Sequence, residues 1–352
     1  MCGDLLLRRR GPEPRFGRVL VVRLDHLGDV LTATSIPRLV KEAHPKAQVA
    51  FLAASWAAPL LENNPYIDEV LLYDAPWFAK GRYASGSQGF LATANELAGR
   101  NFDVAFAPRG DIRENFMLYQ AKIPSRFGYG ITGGGFLLTR EVVYRPGVHE
   151  TEHTTDLLRS AGIRGAYPGP QIYFTPAEEA AWNARSASLG LRPGDRIVGF
   201  QTGAGTPAKD WGSAYALQFV AAARKQGVTI VLTGTDKDRA RAPFLGEPGI
   251  VDLRGKTSLR ELCVFIKSCR AFVGPDSGPA HLANALGVPT VFLYSGTNRF
   301  EEWRPLPANA RVLRHPVPCA PCTLEECPVE GHPCMSALSP EAVALALEEV
   351  VR

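Results

Sequence analysis

A chain of 352 residues that is 45% apolar is too long for a small binding module and can fill two cores of roughly 150 residues each. Its 39 Lys and Arg against 35 Asp and Glu leave a balance of +4, too mild to suggest a nucleic-acid partner. No stretch reaches the roughly 18 uninterrupted apolar residues of a membrane span, and the apolar run at residues 5–7 is too short for a secretory signal, so a cytoplasmic protein is expected.

Residues 1–15 read as a flexible N-terminal tail. Its run Arg8, Arg9 and Arg10, with Arg15 and Arg18 behind it, is either a solvated cluster or a weak attractor of anionic headgroups at the inner face of the cytoplasmic membrane. Residues 18–23, RVLVVR, suit a buried parallel strand; a polar turn and a helix over 30–43 follow, then a strand over 48–52. The alternation continues with a helix near 57–62, a strand at 69–73, a helix at 90–98 and a strand at 103–107. From 124 to 147 the order is lost, and the glycines there predict a mobile or tightly turning loop. A helix over 153–161 precedes a Gly- and Pro-rich junction. The first domain therefore spans 16–180 and the second 190–340, with a crevice between them and a C-terminal helix over 340–352.

The second domain restarts the pattern: strand 196–200, loop 203–209, helix 213–226, strand 228–232, helix 259–267, strand 271–273, helix 279–286 and strand 290–294. Its strongest feature is GPDSGPAHLANALGVPT at 274–290. A strand, a turn with Asp276 and Ser277, and a helix opening at Gly278 and Pro279 present free N–H groups and a positive dipole end to phosphate. His281 can reach a phosphate oxygen or orient Asp276. Equally, Ser277 or Asp276 can be a helix cap and His281 an interior histidine. A second loop, QTGAGTPAKDW at 201–211, offers Gly203 and Gly205 for a tight turn, the Thr206 hydroxyl, and Lys209 as a mobile cation for a diphosphate; a solvated surface lysine is the alternative. Asp236, after the 228–232 strand, can accept from a ribose diol or simply favour a helix start. The 201–211 loop lacks the lysine-serine or lysine-threonine ending of a P-loop, and no GxGxxG follows the first strand of either domain.

In the first domain, Asp25, His26 and Asp29 lie between a strand end and a helix start. Asp29 is the candidate general base for an attacking hydroxyl, His26 its rival, and helix capping the other role open to Asp29. Arg109 and Arg113, near Asp111, can meet an acceptor's anionic groups or stay solvated. Six cysteines lie beyond residue 262, with Cys2 the seventh. Four of them, Cys319-x2-Cys322-x4-Cys327-x6-Cys334, can enclose a structural zinc, with His332 an alternative ligand and an iron–sulfur cluster less favoured; free thiols in a proline-stiffened loop are the other reading.

The motifs VVRLDHLGDVLTATSIPRLVKEAHPKAQV, QTGAGTPAKDW and FVGPDSGPAHLANALGVPTVFLYSGTN, in that order, resemble the heptosyltransferase group of bacterial glycosyltransferases. The resemblance implies an α/β GT-B fold, two Rossmann-like domains with parallel sheets facing across a cleft, acceptor on the first and nucleotide sugar on the second. It implies an inverting glycosyltransferase that moves a sugar, heptose from ADP-heptose by family frequency, to a lipopolysaccharide-core or related glycan or glycolipid acceptor. Asp29 then matches the base, Lys209 the diphosphate lysine, Asp276, Ser277, Gly278 and His281 the donor-phosphate segment, and Asp236 the ribose contact; no catalytic cofactor is required. Gln201 and Thr202 depart from the histidine-proline common there. Another nucleotide sugar, a nucleotide-sugar epimerase or hydrolase, and a non-catalytic binding or scaffold protein remain as alternatives.

Overall fold

The structure is a computed structural model and describes residues 7–9, 13–79, 89–241, 249–306 and 309–352. Two compact units divide it, Met1–Tyr173 and Phe174–Arg352. Arg10 and Cys2, and most of the expected tail, lie outside the described residues.

In the first unit the elements are β1 (Leu7–Arg9), β2 (Arg18–Arg23), α1 (Leu27–Ala33), α2 (Ser35–Ala43), β3 (Gln48–Ala53), β4 (Glu69–Leu72), α3 (Pro76–Ala79), α4 (Phe90–Gly99), β5 (Val104–Ala107), α5 (Ile112–Gln120), β6 (Ser125–Gly128), β7 (Arg140–Val142) and α6 (Glu150–Ser160). The sheet order is β1-β7-β6-β5-β2-β3-β4, parallel except for the β1–β7 pair. Part of the expected tail is thus an edge strand. Val19 to Val22 are fully buried, as expected of a strand covered on both faces.

Three local expectations change. The expected helix over 30–43 is two helices, because Thr34 turns its hydroxyl back to the Leu31 carbonyl at 2.6 Å and accepts the Gln171 N–H at 2.7 Å. Residues 58–61 form a single 3-10 turn. The segment 124–147 is ordered into β6 and β7, and its glycines serve close packing: a Cβ on Gly135 would lie 2.0 Å from Glu141 Oε1, and one on Gly130 2.7 Å from the same atom.

The second unit runs α7 (Pro176–Ser188), β8 (Ile197–Gln201), α8 (Ser213–Arg224), β9 (Thr229–Thr233), α9 (Asp236–Arg241), β10 (Ile250–Asp252), α10 (Leu259–Ser268), β11 (Ala271–Pro275), α11 (Gly278–Ala285), β12 (Thr290–Tyr294), α12 (Phe300–Trp303), β13 (Ala310–Arg314), α13 (Pro333–Ser336) and α14 (Pro340–Val351). All six strands are parallel, in the order β10-β9-β8-β11-β12-β13. Helix α7 falls in the stretch expected as the junction. A capping box starts it: the Thr175 hydroxyl accepts the Glu178 N–H while Glu178 accepts from Thr175. Each unit has its own apolar core.

Strand order fixes where each site falls. In the first unit the chain moves outward from β2 to β4, then returns to β5 on the other side of β2; in the second it does the same from β8 to β10 and back to β11. Loops leaving the carboxyl ends of two such strands diverge to opposite faces and leave a crevice. The Asp25–Asp29 turn and the Arg109 loop meet at the first switch point, the 202–211 and 276–277 loops at the second.

Candidate active site

At the second switch point Asp276 is the hub. Its buried carboxylate accepts from Lys209 Nζ at 3.2 Å and His281 Nε2 at 2.8 Å, and from Asn298 Nδ2; Lys209 Nζ also donates to the Asp276 carbonyl at 3.0 Å. Burial alone would raise the Asp276 pKa, but His281 and Lys209 outweigh it and hold the group below the usual carboxylate range. Asp276 therefore positions Lys209 and His281 and is not a cap. Ser277 occupies the N-cap of α11 in extended conformation with no side-chain cap bond. Among the described residues, its buried Oγ and that of Thr206 have no hydrogen-bond partner. Gly278 opens the helix, whose first N–H groups lack intrahelical acceptors.

Gly203 is demanded by space, since a Cβ there would sit 1.9 Å from Asp238 Oδ1; at Gly205 a Cβ would meet nothing within 4 Å. Asp238, absent from the sequence reading, is buried and accepts from the Thr235 N–H at 2.7 Å and its hydroxyl at 2.8 Å. Asp236 opens α9 with its side chain 69% exposed and pairs with Arg239 at 2.9 Å. The T-x-x-D spacing of Thr235 to Asp238 is the signal that separates the two carboxylates.

The cysteine segment folds against the Lys209 turn. Among the described residues no three His, Cys, Asp or Glu side chains form a donor set. Cys334 is in the apolar core, Cys319 is exposed, and His332 Nε2 is 3.0 Å from the Ala208 carbonyl. With Ala208 N–H donating to the Glu325 carbonyl at 2.9 Å, and Cys322 N–H to that of Gly296 at 2.9 Å, the segment braces the Lys209 turn.

At the first switch point, Asp29 is the third residue of α1. His26 is the N-cap, so capping is not the role of Asp29. Its Oδ1 accepts from Arg23 at 2.6 Å, and its side chain stays 15% exposed. Burial raises its pKa, but Arg23 beside it and His26 next to it bring it below the usual carboxylate range, so it is ionised at neutral pH. His26 Nδ1 stands 3.6 Å from Asp29 Oδ2, on a ring 83% exposed. Asp25 pairs with Arg23 Nε at 2.8 Å and is pushed up to about 7, chiefly by burial. Arg109 lies 3.9 Å from Asp25 and 3.8 Å above the Phe78 ring; Arg113 is already forked onto Asp111 at 2.8 and 2.6 Å. Glu114, on α5, is fully buried and pushed up to about 8, first by burial and then by Asp25. Sequence reading missed Arg23, Glu114 and Glu150. Arg23 ends a strand whose four middle residues are all apolar, the one signal that could have drawn attention to it.

Two doubly wound parallel sheets in series define the GT-B glycosyltransferase fold. The chain belongs to glycosyltransferase family 9, the heptosyltransferases, whose family-wide profile matches residues 90–332. It is 25% identical over 315 residues to lipopolysaccharide heptosyltransferase 2 of Salmonella typhimurium, covering 84% of this chain and 88% of that one. Among solved structures it resembles Escherichia coli ADP-heptose lipopolysaccharide heptosyltransferase II, with TM-score 0.75 and 22% identity over 95% of this chain and 98% of that one. A family 9 glycosyltransferase from Veillonella parvula gives TM-score 0.80 and 23% identity, covering 97% and 99%. Among the described residues no helix is long and apolar enough to cross a membrane.

Proposed function

We propose that the protein is an inverting heptosyltransferase that moves heptose from ADP-heptose to a sugar hydroxyl of a lipopolysaccharide-core acceptor. The observation that carries this reading is Asp29: a carboxylate kept ionised by Arg23, yet open to solvent at the carboxyl edge of the first sheet. The acceptor oxygen attacks the anomeric carbon, the bond from that carbon to the ADP phosphate oxygen breaks, and the acceptor proton passes to Asp29. Asp25, His26 and Arg109 border the base and contact the acceptor, with Arg113 further out.

The leaving diphosphate gathers charge, and the second unit has the groups to receive it. Asp276 takes two of the three Lys209 ammonium N–H groups, which leaves one for a phosphate oxygen. The Ser277 and Thr206 hydroxyls and the opening amides of α11 at Gly278 add neutral donors, and Gly203 keeps the 202–211 turn tight, with Gly205 in open space beside it. His281 is held by Asp276, and exposed Asp236 suits the ribose diol. These groups need no cofactor. A structural zinc or iron–sulfur cluster in the cysteine segment is supported by the spacing and by Cys319, Cys322 and Cys327 all bearing on the Cys334 thiol, and no step runs through it. The reading locates the enzyme in the cytoplasm, in peripheral contact with the membrane that anchors a glycolipid acceptor.

A donor panel tests it. ADP-heptose with a deacylated core acceptor is expected to turn over with inversion seen by NMR, and ADP to raise the melting temperature where UDP does not. Turnover with UDP-sugars alone would replace the donor, and stabilisation by no nucleotide would favour a scaffold. Lys209→Ala is expected to weaken ADP binding by about 10- to 100-fold in calorimetry, the loss of one charge-assisted hydrogen bond.

A further inference from the structure

We propose that Arg23 is a positioning residue for Asp29, locked in turn by Glu150, and that this arrangement leaves Oδ2 of Asp29 as the oxygen that receives the acceptor proton. The proposal rests on the reading of Asp29 as the base.

Arg23 ends β2 with a side chain only 3% exposed, where a lone guanidinium would be costly. Three carboxylates from separate places in the chain surround it. Asp25 in the turn meets Nε at 2.8 Å, Asp29 in the first turn of α1 meets NH2 at 2.6 Å, and Glu150 at the start of α6 meets the same NH2 at 3.2 Å. The two contacts at NH2 are hydrogen bonds and hold that end of the planar fork, while the Asp25 contact at Nε is an ion pair without hydrogen-bond geometry.

Glu150 is fixed as well. Its Oε2 stands 3.2 Å from His153 Nδ1, and His153 Nε2 stands 3.1 Å from the Arg145 carbonyl; Glu150 and His153 are buried, and Arg145 lies at the surface. A continuous chain therefore runs from the Arg145 backbone through His153, Glu150 and Arg23 to Asp29.

Its consequence falls on one atom. Oδ1 of Asp29 is committed to Arg23, whereas Oδ2 accepts no hydrogen bond among the described residues and has His26 Nδ1 at 3.6 Å, beyond hydrogen-bond length and on an exposed ring. Oδ2 is the oxygen that an acceptor hydroxyl can approach. The groups that bear on Asp29 electrostatically are Arg23 from β2, Asp25 and His26 from the turn, Arg109 after β5, Glu114 from α5, and Glu150 with His153 from α6.

The test is steady-state kinetics and pH–rate profiles of the full chain with ADP-heptose and a deacylated core acceptor, comparing Arg23→Gln, Arg23→Lys, Glu150→Gln and Asp29→Asn. Arg23→Gln is expected to lower kcat about 100-fold at unchanged donor KM and to move the acid limb of kcat/KM to higher pH, because Asp29 loses its cation. Arg23→Lys should restore the limb but only part of kcat, since charge returns without the fork. If Arg23→Gln does not fold, Glu150→Gln, which keeps the cation, carries the test with kcat down about tenfold and donor KM unchanged. Wild-type kcat in both Arg23→Lys and Glu150→Gln, with Asp29→Asn inactive, would overturn the positioning role and spare the base. A slower Arg23→Gln whose acid limb stays in place would also overturn it, making Arg23 merely structural. Turnover by Asp29→Asn would remove the base reading itself.

Discussion

Helix α5 turns its sequence inside out: it buries Glu114 and Asn115 and leaves Phe116 and Tyr119 partly in solvent. Glu114 gains nothing obvious from this, for among the described residues neither carboxyl oxygen has a hydrogen-bond partner. Burial and the nearby Asp25 push it up to about 8, so near neutrality the folded protein keeps a proton there that the unfolded chain has lost. Between the ordinary glutamate value and about pH 8 the native state binds more protons, and its stability falls as pH rises through that window; above it the loss is constant. Glu114→Gln removes this dependence. Urea unfolding is expected to find the variant close to wild type near pH 5 and more stable by on the order of 2 kcal/mol at pH 8.5, a modest figure because Asp25 titrates with it. An equal difference at both pH values would mean that Glu114 is ionised in the folded protein.

At the scale of elements, the 202–211 loop is narrow because Gly203 faces Asp238, which in turn ties down the Thr235 turn. Gly203→Ala would force a methyl group onto that carboxylate, and is expected to lower stability by about 1–3 kcal/mol and weaken ADP binding at least tenfold, read by melting and calorimetry. Gly205→Ala, with open space around it, should do neither. These loops were legible in sequence because strand, small-residue turn and helix start follow one another closely in GPDSGPAHL and QTGAGTPAK. Helix α7 was equally legible in principle: Thr175-Pro176-Ala177-Glu178 spells a capping box with proline at the first helical position. Strands β6 and β7 were hidden because the glycines between them read as a mobile or tightly turning loop, while their use is to admit Glu141. Helix α5 defeats periodicity because its buried face carries a carboxyl and an amide. Arg23 and Glu150 lie 127 residues apart, and nothing local links them.

At the scale of the whole molecule, each unit has a complete sheet and its own core, and the second starts at Phe174 because α7 packs on α10. Trp182 of α7 lies against Phe265 and donates to the Ser268 hydroxyl at 3.0 Å. We therefore expect a fragment of residues 174–352 to unfold cooperatively and bind ADP, and one beginning at 190 to melt at a clearly lower temperature. Equal melting of the two would show that α7 adds nothing to the fold of this unit. The proposed division of labour, base on the first unit and diphosphate groups on the second, is tested most directly by Asp29→Asn assayed for both heptose transfer and ADP affinity. The account predicts kcat reduced by about 1000-fold with the ADP Kd unchanged. Transfer at the wild-type rate, or a loss of rate matched by an equal loss of ADP affinity, would contradict it.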